Sequence, residues 1–191
     1  MKGILNVNNK KQIPRLVPSY IFPSYTYIPG LSPHPRHDPA GHNLKIKIEG
    51  NDTFTQTQWI MCEPYLLGFD MFNHGFYWEA HEVWETLWQA IGRKGSRAKF
   101  LKGLIKLAAS GVKARQVSNS GVKRLADGAI KEFKAINCKI ENDCVTYMGL
   151  NLKALIAIME KVKTLDFKKD VVSGEHSLRV FDFIIVPISK K

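Results

Sequence analysis

The segment His81-Glu82-Val83-Trp84-Glu85 puts an imidazole and two carboxylates within about one helical turn. In zinc proteases of the H-E-x-x-H type, two imidazoles at i and i+4 hold the metal and the intervening glutamate acts as base. Here Glu85 stands where the second histidine would be. A histidine and a carboxylate one turn apart still share an ion in carboxylate-rich helical bundles. His81 and Glu85 are therefore candidate ligands of a divalent metal, with Glu82 as candidate general base. Two residues are too few for a closed shell, and His34 and His42, in Pro33-His34-Pro35-Arg36-His37-Asp38-Pro39-Ala40-Gly41-His42, are the candidates to complete it. The competing reading needs no metal. His81 donates to Glu85 or to a backbone group in a buried polar network that fixes the helix, and the histidines at 34–42 form turns that dock their segment onto Glu82 or Glu85.

A second set of charged residues lies further on. Lys99, Lys102, Lys106 and Lys113 recur at i, i+3, i+7 and i+14, so they line one helix face opposite the leucines. If that face abuts the His81 helix, Lys102 and Lys106 neutralise Glu82 and Glu85. His81, Glu85, Lys102, Lys106 and Lys113 then form a polar or anion site in place of a metal site. If it does not, the lysines are a solvated face. Continued through Arg115, Lys123 and Arg124, the stripe would offer about five phosphate contacts, although no helix-turn-helix, RNA-recognition or zinc-finger pattern accompanies it. The formal charge of +11 and a pI near 9.6 draw anions at long range, so an anionic ligand, nucleic acid or a protein are the partners to expect. Nucleophilic catalysis finds little support, because no G-x-S-x-G is present. The three cysteines, Cys62, Cys138 and Cys144, are odd in number and lack C-x-x-C spacing, which reads as reduced thiols.

The run Asn73-His74-Gly75-Phe76-Tyr77-Trp78-Glu79-Ala80-His81-Glu82-Val83-Trp84-Glu85, followed by Phe100-Leu101-Lys102-Gly103-Leu104-Ile105-Lys106-Leu107-Ala108-Ala109, resembles the all-helical bacterial, archaeal and plastid family called domain of unknown function 309. The resemblance covers roughly residues 55–135. It implies a compact helical fold and no established reaction. The form Tyr-x-x-Pro-Gly-x-x-Pro-His-Pro, then Asp-Pro-x-Gly-His, resembles an N-terminal extension found in a bacterial branch of the same family. Glutamines often stand in that family where Lys102 and Lys106 stand here, so a role that needs neutral amides does not carry over.

These residues must be positioned by helices. Residues 1–50 hold seven of the nine prolines, interleaved with Tyr20, Phe22, Tyr25 and Tyr27. Such a stretch reads as an extended arm wrapped over a helical body and anchored by Phe22, Tyr25 and Tyr27. The body, residues 51–165, is expected as a single all-α bundle of about five helices: about 53–72, capped by Asn51-Asp52; 76–91; 97–117; 122–136; and 152–162. Asn119-Ser120-Gly121 and Asn142-Asp143 read as turns between them. Ala80, Trp84, Leu87 and Ile91 make the apolar stripe of the second helix, and Trp84 and Trp88 are expected in the core. The tail, 166–191, contains Val180 to Val186, either a short strand or an extended segment laid on the bundle.

At 191 residues and 45% hydrophobic content, one domain with a core that needs no disulfides is expected. No apolar run reaches the roughly 18 residues that span a bilayer. The N-terminus lacks a signal-peptide core, which makes the cytoplasm the expected location. The favoured reading is a structural or binding protein with a basic surface and a His–Glu network that serves the fold. The alternative is a metal-dependent hydrolase built on His81, Glu82 and Glu85 with the arm histidines.

Overall fold

The computed structural model describes residues 4–6, 13–42, 54–136, 146–168 and 179–189. The expected Asn51-Asp52 cap, the Asn142-Asp143 turn, Cys138 and Cys144 lie outside these residues. Five helices form the bundle among the described residues: α1 Glu63–Asn73, α2 Tyr77–Ala90, α3 Gly95–Arg115, α4 Asn119–Lys134 and α5 Leu152–Val162. Each packs on the next in chain order, as the short connections from α1 through α4 require; α5 follows a longer connection. The all-α expectation holds.

The first helix begins ten residues later than its apolar pattern suggested. Pro64 has no N–H to give and is tolerated only in a first turn. The chain therefore makes a 3-10 turn at Trp59–Met61 and starts α1 at Glu63 with Pro64 in its opening turn. Nearly all of α1 is buried, Tyr65, Phe69, Met71 and Phe72 included, so α1 joins α2 and α3 in the centre of the molecule. The face of α2 that carries Ala80, Val83, Trp84 and Leu87 is completely buried, whereas Trp88 keeps an exposed edge under the Arg93 guanidinium, 5.2 Å from its ring. Trp84 lies flush on α1 because residue 68 is glycine: a Cβ there would fall 2.0 Å from the indole nitrogen. That nitrogen donates to the Tyr65 carbonyl at 3.1 Å.

The ends of α1, α2 and α3 are built alike. In each, the residue after the C-cap turns left-handed and two N–H groups reach back to orphan carbonyls of the last turn, as in the Schellman motif. Gly75 and Gly92 supply the turn for α1 and α2, but at the end of α3 the residue is Val117, at φ 55°. The break between α3 and α4 thus falls at 116–118, and Asn119-Ser120-Gly121, read as the turn, opens α4 instead.

Two small antiparallel sheets complete the structure. β2 Thr146–Tyr147 pairs with β3 Leu150–Asn151 ahead of α5. β1 Ile4–Asn6 pairs with β4 Phe183–Ile185, Leu5 opposite Ile184, and so joins the two ends of the chain. The C-terminal segment is therefore a strand. Its other edge is held by α1: the Asn73 amide donates to the Ile185 carbonyl at 2.8 Å and accepts from the Ile185 N–H at 2.9 Å. The segment 13–42 contains no helix and lies on α1 and α2. Phe22 packs on His74 and Phe76 and Tyr27 on Trp78, so these two are anchors on the helices, whereas Tyr25 packs on His42 and donates to the Pro33 carbonyl within the arm itself.

Candidate functional site

With its apolar face turned inward, α2 presents Trp78, His81, Glu82, Glu85 and Trp88 on the opposite side, along about three turns. His81 lies between the two carboxylates, its Nδ1 3.4 Å from Glu82 and its Nε2 3.6 Å from Glu85. One ligand atom from each of the three falls within 4.8 Å of the others, and this is the cluster among the described residues able to share an ion. Glu82 also receives the guanidinium of Arg36 from the arm. Burial pushes the Glu82 carboxyl up, but the His81 hydrogen bond, with the charges of Arg36, His81 and His34, outweighs burial and holds it below its ordinary value. The carboxylate is thus ionised and already neutralised by a cation of the chain.

The arm histidines do not enter this cluster. His34 stacks edge-on to Tyr27, and its Nδ1 accepts the N–H groups of Arg36 and His37. It serves as a turn former. His42 is buried, with its Nε2 3.0 Å from Glu79. Docking of the arm onto Glu82 or Glu85 through histidine is therefore corrected. The residue that receives His42 is Glu79, and Glu82 is met by Arg36.

Glu79 and Asp70 are the carboxylates that sequence reasoning missed. Both are fully buried. Glu79 accepts from the Thr26 hydroxyl at 2.7 Å, the Tyr27 N–H at 2.7 Å and His42. Asp70 accepts from the Leu16 and Val17 N–H groups at 2.7 and 2.8 Å and from the Arg15 guanidinium at 3.2 Å. Each is satisfied wholly by the arm, as a buried carboxylate must be by some donor set. A signal was present: Asp70 interrupts the apolar run Leu66-Leu67-Gly68-Phe69-Asp70-Met71-Phe72, with no polar face beside it.

The lysine face of α3 abuts α4, and the proposed neutralisation of Glu82 and Glu85 by Lys102 and Lys106 is corrected accordingly. Lys106 reaches Glu132 at 2.8 Å and the Gly128 carbonyl at 3.3 Å, Lys102 reaches Glu132 at 3.5 Å, and Lys99 donates to the Ala135 carbonyl. Lys113 donates to Gln116. Arg115 is buried and drops out of the phosphate stripe.

Charge is divided between the halves of the bundle. Residues 63–92 carry five carboxylates and no lysine or arginine, whereas residues 93–136 carry twelve lysines and arginines and two carboxylates. The acidic half is the half the arm covers. Lys99, Lys102, Lys123, Arg124, Lys131 and Lys134 of the basic half are exposed. Among the described residues no helix is long and apolar enough to cross a membrane.

The family model described as Domain of unknown function (DUF309) matches residues 65–125, which run from the first turn of α1 into α4 and include the α2 cluster. Comparison with curated proteins and with solved structures gives no match.

Proposed function

Taking the chain as a member of the DUF309 family through its residues 65–125, we propose that it is a binding domain without catalysis of its own. The α1–α2 half, strapped by the arm, is the scaffold, and the basic α3–α4 half receives an anionic partner. The division of charge carries this reading. A net surplus of lysine and arginine gathered on two adjacent helices focuses potential far more than the same charge spread evenly. The His81–Glu82–Arg36 contacts then serve the fold by holding the arm against α2. Retention on immobilised heparin tests the reading. Wild type should elute at high salt and Lys99→Glu/Lys102→Glu much earlier; equal elution would reject it.

The compact His81, Glu82 and Glu85 cluster favours a second reading, metal-assisted hydrolysis. In it His81 and Glu85 would hold a divalent ion, which would supply Lewis acidity, with Glu82 as the candidate general base. The donor set fits poorly, because Glu82 is paired with Arg36 and His42 with Glu79, which leaves His81 and Glu85 with no arm ligand to join them. Elemental analysis of tag-free protein decides: near-stoichiometric zinc, iron or manganese that disappears in Glu85→Ala supports the hydrolase, and its absence from wild type rejects it.

A further inference from the structure

Exposed cations of α3 and α4, with the half-buried Lys106 between them, form one strip. On α4, Arg124, Gly128, Lys131 and Ala135 follow one another at i, i+4, i+7 and i+11, which places them along a single line of the helix surface. Gly128 and Ala135 are the two residues whose carbonyls take Lys106 and Lys99 from α3. The lysine line of α3 and the Arg124–Lys131 line of α4 are therefore laid side by side. Glu132, in contact with Lys102 and Lys106, is the carboxylate they share, and the nearby Asp127 is paired outward with Lys163 of the turn after α5. Five cations, Lys99, Lys102, Lys106, Arg124 and Lys131, outnumber the Glu132 charge within the strip.

The occupant follows from what the strip has and lacks. Lys99 to Lys106 on α3 and Arg124 to Lys131 on α4 each cover roughly 10 Å at 1.5 Å per residue, and a nucleic-acid duplex presents about six phosphate charges over that distance. A protein partner would want apolar and aromatic side chains at the centre of the contact, and a membrane would want apolar side chains to insert. The exposed large apolar residues among those described are Ile21, Leu31, Ile60, Met61 and Ile188, none of them on α3 or α4. The strip has no asparagine or glutamine to read a base edge and a single arginine, so it meets phosphates without selecting bases.

We infer that the Lys99–Lys102–Lys106–Arg124–Lys131 strip grips the phosphate backbone of nucleic acid without regard to sequence. This rests on the anion-binding reading above and names its partner. Fluorescence anisotropy with a labelled 20-base-pair duplex, in two unrelated sequences and between 50 and 200 mM salt, tests it, with polyglutamate and phosphatidylserine vesicles as competing probes. Both duplexes should bind equally, with a slope of log affinity on log salt of about −4.5 for five contacts. Lys102→Gln/Lys131→Gln should bind roughly 50-fold more weakly at 0.1 M salt, with the slope reduced to about −2.7. Lys161→Gln, on α5, should bind as wild type. Binding to polyglutamate or vesicles without the duplex overturns the nucleic-acid partner and leaves the anion-binding reading standing. Binding to no polyanion overturns both. Duplex binding indifferent to Lys102→Gln/Lys131→Gln overturns the strip as its seat.

Discussion

Four carboxylates of α1 and α2 differ in what holds them, and the difference decides what each is for. Glu79 and Asp70 are buried and satisfied by the arm, Glu82 is half-buried beneath Arg36, and Glu85 is the most exposed of the four. Removing one partner of a buried, hydrogen-bonded charge set costs about 3–5 kcal/mol, whereas an exposed pair contributes about 1 kcal/mol or less. Glu79→Ala should therefore lower the denaturant midpoint severely and Glu85→Ala scarcely at all; equal losses in urea unfolding would show that Glu79 is not the anchor of the arm. His74 brings a pH dependence. Burial lowers its pKa below the ordinary value, against the opposing bond to the Asp70 carbonyl and with help from Arg15. The folded protein binds that proton less well than the unfolded chain, so the contribution is present above about pH 6.5 and is lost as pH falls below it. Melting temperature should drop between pH 7.5 and pH 5 by more in wild type than in His74→Gln, and parallel curves would remove His74 as the cause. Residue types made His81, Glu82 and Glu85 legible as a cluster. They could not reveal Glu79, because which carboxylate of a helix is buried depends on where a segment some fifty residues away comes to rest.

At the scale of elements, periodicity located α2 to within a residue or two at each end, because its apolar stripe is regular and Gly75 and Gly92 bound it. It extended α1 too far because the stripe continues through Trp59 and Cys62, while the absent N–H of Pro64 breaks the helix regardless of pattern. The end of α3 escaped for the opposite reason: Val117 is among the least expected residues for a left-handed turn, yet it fills the place that glycine fills in the two helices before it. A β-branched side chain at φ 55° is strained, by roughly 1–2 kcal/mol on the usual scale. Val117→Gly relieves that strain and gives up part of the gain to chain entropy, so it should raise stability by about 0.5–1 kcal/mol in chemical unfolding; a loss of stability would mean that the valine side chain is packed more firmly than its partial burial indicates. The strand at Phe183–Ile185 could be read only as strand or extended tail, since its partner, Ile4–Asn6, stands at the other end of the chain.

Across the whole molecule, the arm and the charge division belong together. Its Arg15 and Arg36 cover carboxylates of the half that has no cations of its own, and the opposite half is left with most of its cations in solvent. The total charge was plain in the composition; its division between helix pairs was equally present in the sequence, and became meaningful once α3 and α4 were seen to lie together with their lysines at one seam. The most direct test of this account is an NMR titration of the protein with inorganic polyphosphate. Amide shifts should move along the α3–α4 strip, around Lys102 and Lys131, while α1, α2 and the arm stay still. Shifts centred on His81, Glu82 and Glu85, or none at all, would contradict it.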